Sequence, residues 1–438
     1  SLVYANNLLV PPDEAFDNPV WGGPGWKEKL SPFYEKAKIM LGVTKSEVLT
    51  HADKLLQECA EDAGIGDTFH VNDVGVYFGE PGVTVSDPYF DGQGPDRTGC
   101  ILCGGCMVGC RNGAKNTLDM NYLFLAEKLG VDIIPETRVV DVQPNDSENY
   151  ILITKKVTGI VKRKIIFHAA GVVFSGGVMG TVKLLHRCKS NGSLPNISQQ
   201  LGNFVRTNSE AIQGVVAKRK DIDYSKGIAI TSGINPDKNT HIETCRYGKG
   251  QGAMSLLATL LVDKHDYVPR PILWLWNIIR HPLVFLRSMN PIGVSEKSTY
   301  VLVMQTISNY MRFDYKRRWW RLGKRSMNSN CDTDQKVPAY IPVANEYTRR
   351  LAEKIDGDPA ASITEIFLNT STTAHIMGGC VMADNPENGV IDHKGQIFGY
   401  KNLYVVDGSI VPANLGVNPS LTITAMAEYI LDQVPEKI

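Results

Sequence analysis

The sequence predicts an α/β architecture interrupted by an inserted α+β unit, and three stretches carry that expectation. Residues 403–406, Leu-Tyr-Val-Val, are a short apolar run ending on Asp407-Gly408. A buried strand that delivers a carboxylate and a tight turn to the carboxyl edge of a sheet has this form. Residues 164–177 read as two strands, the second ending at Ser175-Gly176-Gly177, and 178–186 continue as a helix. Strand, small residues and helix in succession allow close backbone approach to a phosphate, or serve helix–strand packing alone. Between these stretches, the alternating runs 228–232, 255–262 and 300–307 point to a mixed or antiparallel sheet.

Size and charge bound the rest. A chain of 438 residues, 43% hydrophobic, buries a large core and holds more than one lobe. Its 46 Lys and Arg balance its 46 Asp and Glu, so no global field draws it to nucleic acid or to an acidic surface. The basic run 313–325, with Trp319-Trp320, is accordingly read as a solvated strand or hairpin, not a nucleic-acid patch. Nine cysteines, four clustered and five scattered, do not make the framework of a small secreted disulfide scaffold. Residues 1–5 lack the basic start and apolar core of a signal peptide, and the expected setting is cytoplasmic or peripheral to a membrane. The most apolar long segment, 268–289, is broken by Arg270, Arg280, His281 and Pro282, which argues against a membrane span. Two readings of it stand. It is a core helix followed by a proline turn, or an apolar face that rests on a membrane surface or lines a route for a greasy substrate.

Taken in order, 26–41 and 45–63 have apolar residues at helical spacing and read as surface helices. The cluster Gly22-Gly23-Pro24-Gly25 before them is a loop, and 71–96, rich in Gly, Pro and Asp, is an extended loop able to cover a buried cofactor. Cys100, Cys103, Cys106 and Cys110 follow with C-x2-C-x2-C-x3-C spacing, by which bacterial ferredoxins hold iron–sulfur clusters, although no proline follows Cys110. A turn of reduced thiols, a metal or iron–sulfur site, and disulfides are all open on spacing and context. Residues 117–129 read as a helix closed by Gly130, 131–142 as strand, turn and strand, and 341–355 as an amphipathic helix.

The chemistry concentrates near the carboxyl terminus. Residues 372–380 read Thr-Thr-Ala-His-Ile-Met-Gly-Gly-Cys, so His375 has small neighbours that leave room for a ligand. Residues 416–423 read Gly-Val-Asn-Pro-Ser-Leu-Thr-Ile. There Pro419 suits the first turn of a helix, whose backbone N–H groups favour an anionic or electron-rich ligand. Histidine titrates near neutrality and serves as a base, while the Asn418 amide offers both a donor and an acceptor. A lone histidine is usually a satisfied core residue, and an aspartate ending a strand, such as Asp407, is usually a helix cap.

The histidine run, the Asp-Gly strand end and the Gly-Val-Asn-Pro run, together and in this order, resemble the carboxyl-terminal signature of the glucose-methanol-choline family of flavin oxidoreductases, in its bacterial cholesterol-oxidase-like branch. The resemblance implies an FAD-binding, Rossmann-like domain from residues 1–205 and 371–438, with a substrate domain at 206–370. It implies oxidation of an alcohol, with a sterol-like secondary alcohol as the small-molecule substrate, His375 as base and Asn418 as its orienting partner. Flavin contacts carried over are Tyr4, Asn6 and Asn7, Val139, Gly176, Asp407-Gly408, and Pro419 with Ser420. In the family the segment resembling 1–12 follows a βαβ unit with a Gly-x-Gly-x-x-Gly turn. No such unit, nor its acidic residue, occurs in this sequence, so the FAD domain is expected to be incomplete at its amino terminus. That leaves a fragment or binding scaffold, or an electron-transfer protein built on the cysteines, as rivals to the enzyme. Family cholesterol oxidases also use an acidic base for steroid isomerisation, for which Glu210 and Glu243 are candidates without a spacing argument.

Overall fold

The computed structural model describes residues 7–145, 149–159, 162–219, 221–319 and 322–435. Its largest element is a seven-stranded sheet in the order Ala258–Leu260, Gly357–Ser362, Ala211–Ala217, Ser298–Gln305, Thr240–Cys245, Ile230–Asp237 and His70–Val71. Each neighbouring pair runs antiparallel. Side chains alternate across such a sheet. Val301 and Val303 therefore pack into one apolar layer with Leu55 and Leu351 of helices His51–Asp62 and Pro342–Ile355, whereas Leu302 and Met304 join a second layer on the other face. The first of these helices starts at His51, later than its apolar spacing predicts, because Thr50 and Asp53 form a reciprocal cap. Asp53 goes on to accept from the Ser232 hydroxyl at 2.6 Å and to pair with the buried Arg246 at 3.2 Å, which ties the helix to the sheet.

The other core surrounds a parallel pair of strands, Val172–Phe174 and Leu403–Val405, in which Leu403 lies opposite Val172 and Val405 opposite Phe174. Helices Trp26–Met40, Gly177–Asn191 and Ser420–Leu431 contribute to this core. The first and last are joined by Tyr34 and Thr422, whose hydroxyls lie 2.9 Å apart, and by an edge-to-face contact of Trp26 with Tyr429. A three-stranded antiparallel sheet, Thr137–Pro144, Tyr150–Lys156 and Lys164–Ala169, leads into the parallel pair.

Two local readings differ from the sequence expectation. Residues 131–134 form no strand: Val131, Ile133 and Ile134 are exposed, and pairing starts only at Thr137, after Glu136 takes a left-handed conformation. The stretch 117–129 splits into the 3-10 turn Leu118–Met120 and the helix Tyr122–Lys128, because the Asn121 carbonyl side chain accepts from the Tyr122 N–H and begins a new helix. The basic run is a hairpin, Arg312–Arg317 with Arg325–Asn330.

Segment 268–289 is two short helices, Arg270–Arg280 and Pro282–Ser288. Their inner side is anchored by the buried Arg270–Glu365 pair at 2.9 Å and by the Trp274 indole N–H donating to Thr259 at 2.6 Å. Their outer side exposes Ile272, Leu275, Trp276, Ile279, Leu283 and Leu286. Among the described residues no helix is long and apolar enough to cross a membrane.

Candidate active site

His375 lies on an irregular segment that follows the helix Ile363–Phe367, and its orientation is set by one buried carboxylate. Glu210 accepts from the Ala374 N–H at 3.0 Å and from the Thr373 hydroxyl at 3.0 Å, and lies 2.9 Å from His375 Nδ1. The Thr373 hydroxyl oxygen in turn accepts from the His375 backbone N–H at 2.9 Å. With Nδ1 committed to a carboxylate, the proton of a neutral His375 belongs on Nδ1 and the lone pair on Nε2. Burial works against the protonated ring, but the Glu210 charge and hydrogen bond, with Glu243 further off, outweigh it and raise the His375 pKa above its ordinary value.

The same few residues hold the second motif. Asn208 Oδ1 accepts from the N–H groups of Leu415 and Gly416, at 2.9 and 3.0 Å, and its amide donates to the Val417 carbonyl at 2.9 Å. One residue pair earlier, Arg206 bonds through its backbone to Met377 in both directions and donates from its guanidinium to the Pro412 and Asn309 carbonyls. Asn208 and Ser209 both adopt left-handed backbone angles, φ +60° and +43°. Such angles are uncommon outside glycine and persist where surrounding bonds enforce them. Asn418, the next residue along, is buried, and its Oδ1 has no hydrogen-bond partner. A buried, unpaired amide oxygen is costly in the free chain and is ready to receive a donor.

The parallel pair of strands ends at the features expected to approach a cofactor. Gly176 is the residue before helix Gly177–Asn191, whose first turn has no side-chain cap. Asp407 follows strand Leu403–Val405 and is saturated: it accepts from the Ser409 N–H at 2.8 Å and hydroxyl at 2.6 Å, and from the Thr181 hydroxyl at 2.5 Å. It thus fastens this strand end to the helix that starts at Gly177. Gly408 lies where an added Cβ would come within 3.1 Å of Ile423 of the helix Ser420–Leu431, which has Pro419 at its cap. Two uncapped helix starts at the carboxyl edge of a parallel pair, beside a buried acceptor without a partner, suit a dinucleotide such as FAD. Val139 is a half-buried residue of strand Thr137–Pro144, packed against the same core. Tyr4 and Asn6 lie outside the described residues.

Asn7 belongs to a buried polar group that the sequence does not reveal. Its amide donates to Glu243 Oε2 at 2.5 Å and lies 3.2 Å from His241 Nε2, and the His241 and His70 rings are 5.2 Å apart. Burial, then the neighbouring His241, hold His70 below the ordinary histidine pKa. The only sequence signal for Asn208 is a polar run, Thr-Asn-Ser-Glu, between apolar stretches. Glu243 is adjacent to nothing that marks it.

An apolar cavity of about 310 Å³ opens against the large sheet, with Ile212, Tyr247, Leu257 and Tyr300 in its wall. Thr373 and Ala374 form part of the same wall, so the cavity reaches the segment that carries His375. The four clustered cysteines lie elsewhere, around a separate narrow void, and all nine cysteines are free thiols.

Solved structures share this fold. The formate oxidase of Aspergillus oryzae RIB40 superposes with a TM-score of 0.58 at 14% identity, over 98% of this chain and 82% of that one. Pyridoxine 4-oxidase from Mesorbium loti gives 0.56 at 12%, over 99% and 81%. The GMC oxidoreductase family model matches residues 303–427. A cholesterol oxidase of Acinetobacter baumannii is 45% identical over the whole of this chain and 80% of its own length, and one of Mycobacterium tuberculosis is 43% identical over the whole chain and 77% of its own. The chain belongs to the GMC oxidoreductase family, in its cholesterol-oxidase-like branch, and is an FAD-dependent enzyme that oxidises an alcohol.

The Glu210–His375 contact has a direct readout. An NMR titration of the His375 imidazole is expected to give a pKa above the ordinary histidine value in the native chain and a lower one in Glu210→Gln, where the Glu210 charge is gone and burial is opposed only by the more distant Glu243. An unchanged titration in the variant would show that Glu210 does not govern the ring.

Proposed function

We propose that the alcohol is sterol-like and secondary, and that His375 is the base that removes its hydroxyl proton. The observation that carries this reading is that an apolar cavity of about 310 Å³ reaches Thr373 and Ala374, the two residues before His375. A cavity of that size and lining suits a rigid hydrocarbon ligand with one polar end, and the relatives named cholesterol oxidase support it.

Bound FAD supplies the acceptor for the hydride that leaves the carbinol carbon. The chain's own groups do the rest. His375 takes the hydroxyl proton at Nε2, and Glu210 holds Nδ1 and favours the imidazolium that results. The buried Asn418 amide orients the substrate oxygen by donating its N–H to it, since the one hydroxyl proton goes to His375. Gly176, Asp407-Gly408 and Pro419-Ser420 hold the cofactor from the strand ends and helix starts, with Val139 and Asn7 beside it. Residues 1–205 and 371–438 serve mainly the cofactor, and 206–370 the substrate. Glu210 is engaged with the His375 segment on both oxygens, which makes it a positioning residue in this reading and leaves Glu243 as the freer carboxylate.

The greasy substrate arrives from a lipid surface. The exposed row Ile272, Leu275, Trp276, Ile279, Leu283 and Leu286 has helical spacing, and the sequence carries no Asp or Glu between Asp266 and Glu296. Arg280 lies over the Trp276 ring at 4.8 Å, a pairing suited to the headgroup level of a bilayer. Ser288 and Val294, at and just beyond the end of this helix pair, line the cavity itself.

With FAD loaded, His375→Ala is expected to keep the flavin and to lose roughly 100-fold or more of the rate of flavin reduction by a sterol alcohol, followed anaerobically by stopped flow. Native kinetics in a flavin-loaded variant would remove His375 from the role. Ile279→Ser combined with Leu283→Ser is expected to weaken cosedimentation with anionic lipid vesicles by roughly tenfold or more, since each aliphatic side chain buried in lipid is worth about 1.5–3 kcal/mol. Undiminished sedimentation would detach this face from membranes.

A further inference from the structure

The apolar cavity against the large sheet is not apolar throughout. Tyr247 and Tyr300 stand together in its wall, their rings edge to face at 5.1 Å, and among the described residues neither hydroxyl has a hydrogen-bond partner. Two residues before Tyr300, and so on the same face of strand Ser298–Gln305, Ser298 also lines the cavity. It is 2% exposed, and its hydroxyl is likewise unpartnered. A hydroxyl held out of water without a partner is costly, and a ligand that bonds it removes the cost. Other polar side chains in the same wall are already engaged. The Gln213 amide donates to Asn345 and accepts from Thr348, at 2.6 and 2.8 Å, and the Ser255 and Ser288 hydroxyls donate to the Gly252 and Phe285 carbonyls. Burial, above all, pushes both tyrosine pKa values up to about 12, which keeps the phenols protonated as donors at neutral pH.

The sheet register sets these hydroxyls apart from His375. Strand Ala211–Ala217 starts next to Glu210, and there Ala211 lies opposite Val303, whereas Gly214 lies opposite Tyr300 and Val216 opposite Ser298. At about 3.4 Å per residue, Tyr300 and Ser298 therefore stand roughly 10 and 17 Å further along the sheet than its Glu210 end. Between the two ends the wall is aliphatic, with Ile212 and Leu302. Four fused rings with an oxygen at each end, and a hydrogen bond beyond each oxygen, cover a span of that order.

Given the sterol reading of this cavity, on which this step rests, we propose that Tyr247, Tyr300 and Ser298 receive a second oxygen, on the ring farthest from the reacting hydroxyl. The substrate is then a steroid oxygenated at both ends, its far ketone or hydroxyl accepting from the phenols, and not a sterol whose far end is hydrocarbon alone. These three side chains touch no reacting atom. They select the alcohol and set the direction in which it lies.

Calorimetric titration of the FAD-loaded chain tests this with two steroid ketones, both oxidised at the reacting end so that binding is read without turnover. One carries a second ketone on the far ring, and the other carries only hydrogen there. The native chain is expected to bind the diketone roughly fivefold or more tighter, the worth of a net hydrogen bond. The triple variant Tyr247→Phe, Tyr300→Phe, Ser298→Ala, checked for native elution and circular dichroism, is expected to abolish the difference. Tyr300→Phe alone, which removes a single oxygen atom, is expected to reduce it about twofold or more and serves if the triple variant does not fold. Thr299→Val is the control. The Thr299 hydroxyl is also buried and unpartnered, but it belongs to the opposite face of the strand and does not line the cavity, so the preference is expected to stay. Equal affinity of the native chain for both ketones, or a full preference in the folded triple variant, would overturn the proposal and leave the sterol reading standing. Binding of neither ketone would overturn both.

Discussion

The contact on which the rest of the site depends is the brace that residues 206–210 form between two distant motifs. Glu210 grips the run 373–375, Asn208 grips 415–417, and Arg206 fastens Met377 and Pro412. None of these bonds is local in sequence, and they lie between buried groups, where an unmade hydrogen bond costs more than a made one gains. The left-handed angles at Asn208 and Ser209 aim the side chains of successive residues at different targets. Immediately afterwards the chain enters strand Ala211–Ala217, which is paired on both sides within the large sheet, so the brace continues directly into an interior strand.

This placement explains why the site is divided as it is. The parallel pair and its two helix starts offer backbone N–H groups and little side-chain chemistry, which suits holding a cofactor. The large antiparallel sheet offers an apolar wall and little polarity, which suits a hydrocarbon. His375 and Asn418 stand on irregular segments, which the brace ties down. Positioning within a fraction of an ångström is what general-base chemistry requires, and loops achieve it only when tied down.

Much of this was legible from the residues. The alternation at 300–307 is the strand Ser298–Gln305, and the run 403–406 with its Asp-Gly end is the strand Leu403–Val405 with its capping carboxylate. Both follow from periodicity and turn chemistry, which act over a few neighbours. The brace was not legible, because Asn208 and Glu210 act on residues more than a hundred positions away and nothing in their surroundings differs from an ordinary polar turn. The same holds for the Asn7, His241 and Glu243 group, and for helix His51–Asp62, read with the first segment but packed on the large sheet. The strand expected at 131–134 failed for the opposite reason: its local pattern is apolar, but among the described residues no strand pairs with it.

The central claim is that this flavin enzyme acts on a sterol-like secondary alcohol delivered to His375 by the apolar cavity. It is tested most directly by loading the chain with FAD, mixing it anaerobically with a hydroxysteroid or with a straight-chain primary alcohol, and watching the flavin absorbance. The account predicts bleaching with the hydroxysteroid and little change with the primary alcohol. A chain that holds FAD but keeps its oxidised spectrum with the hydroxysteroid, while the primary alcohol bleaches it, would contradict the account.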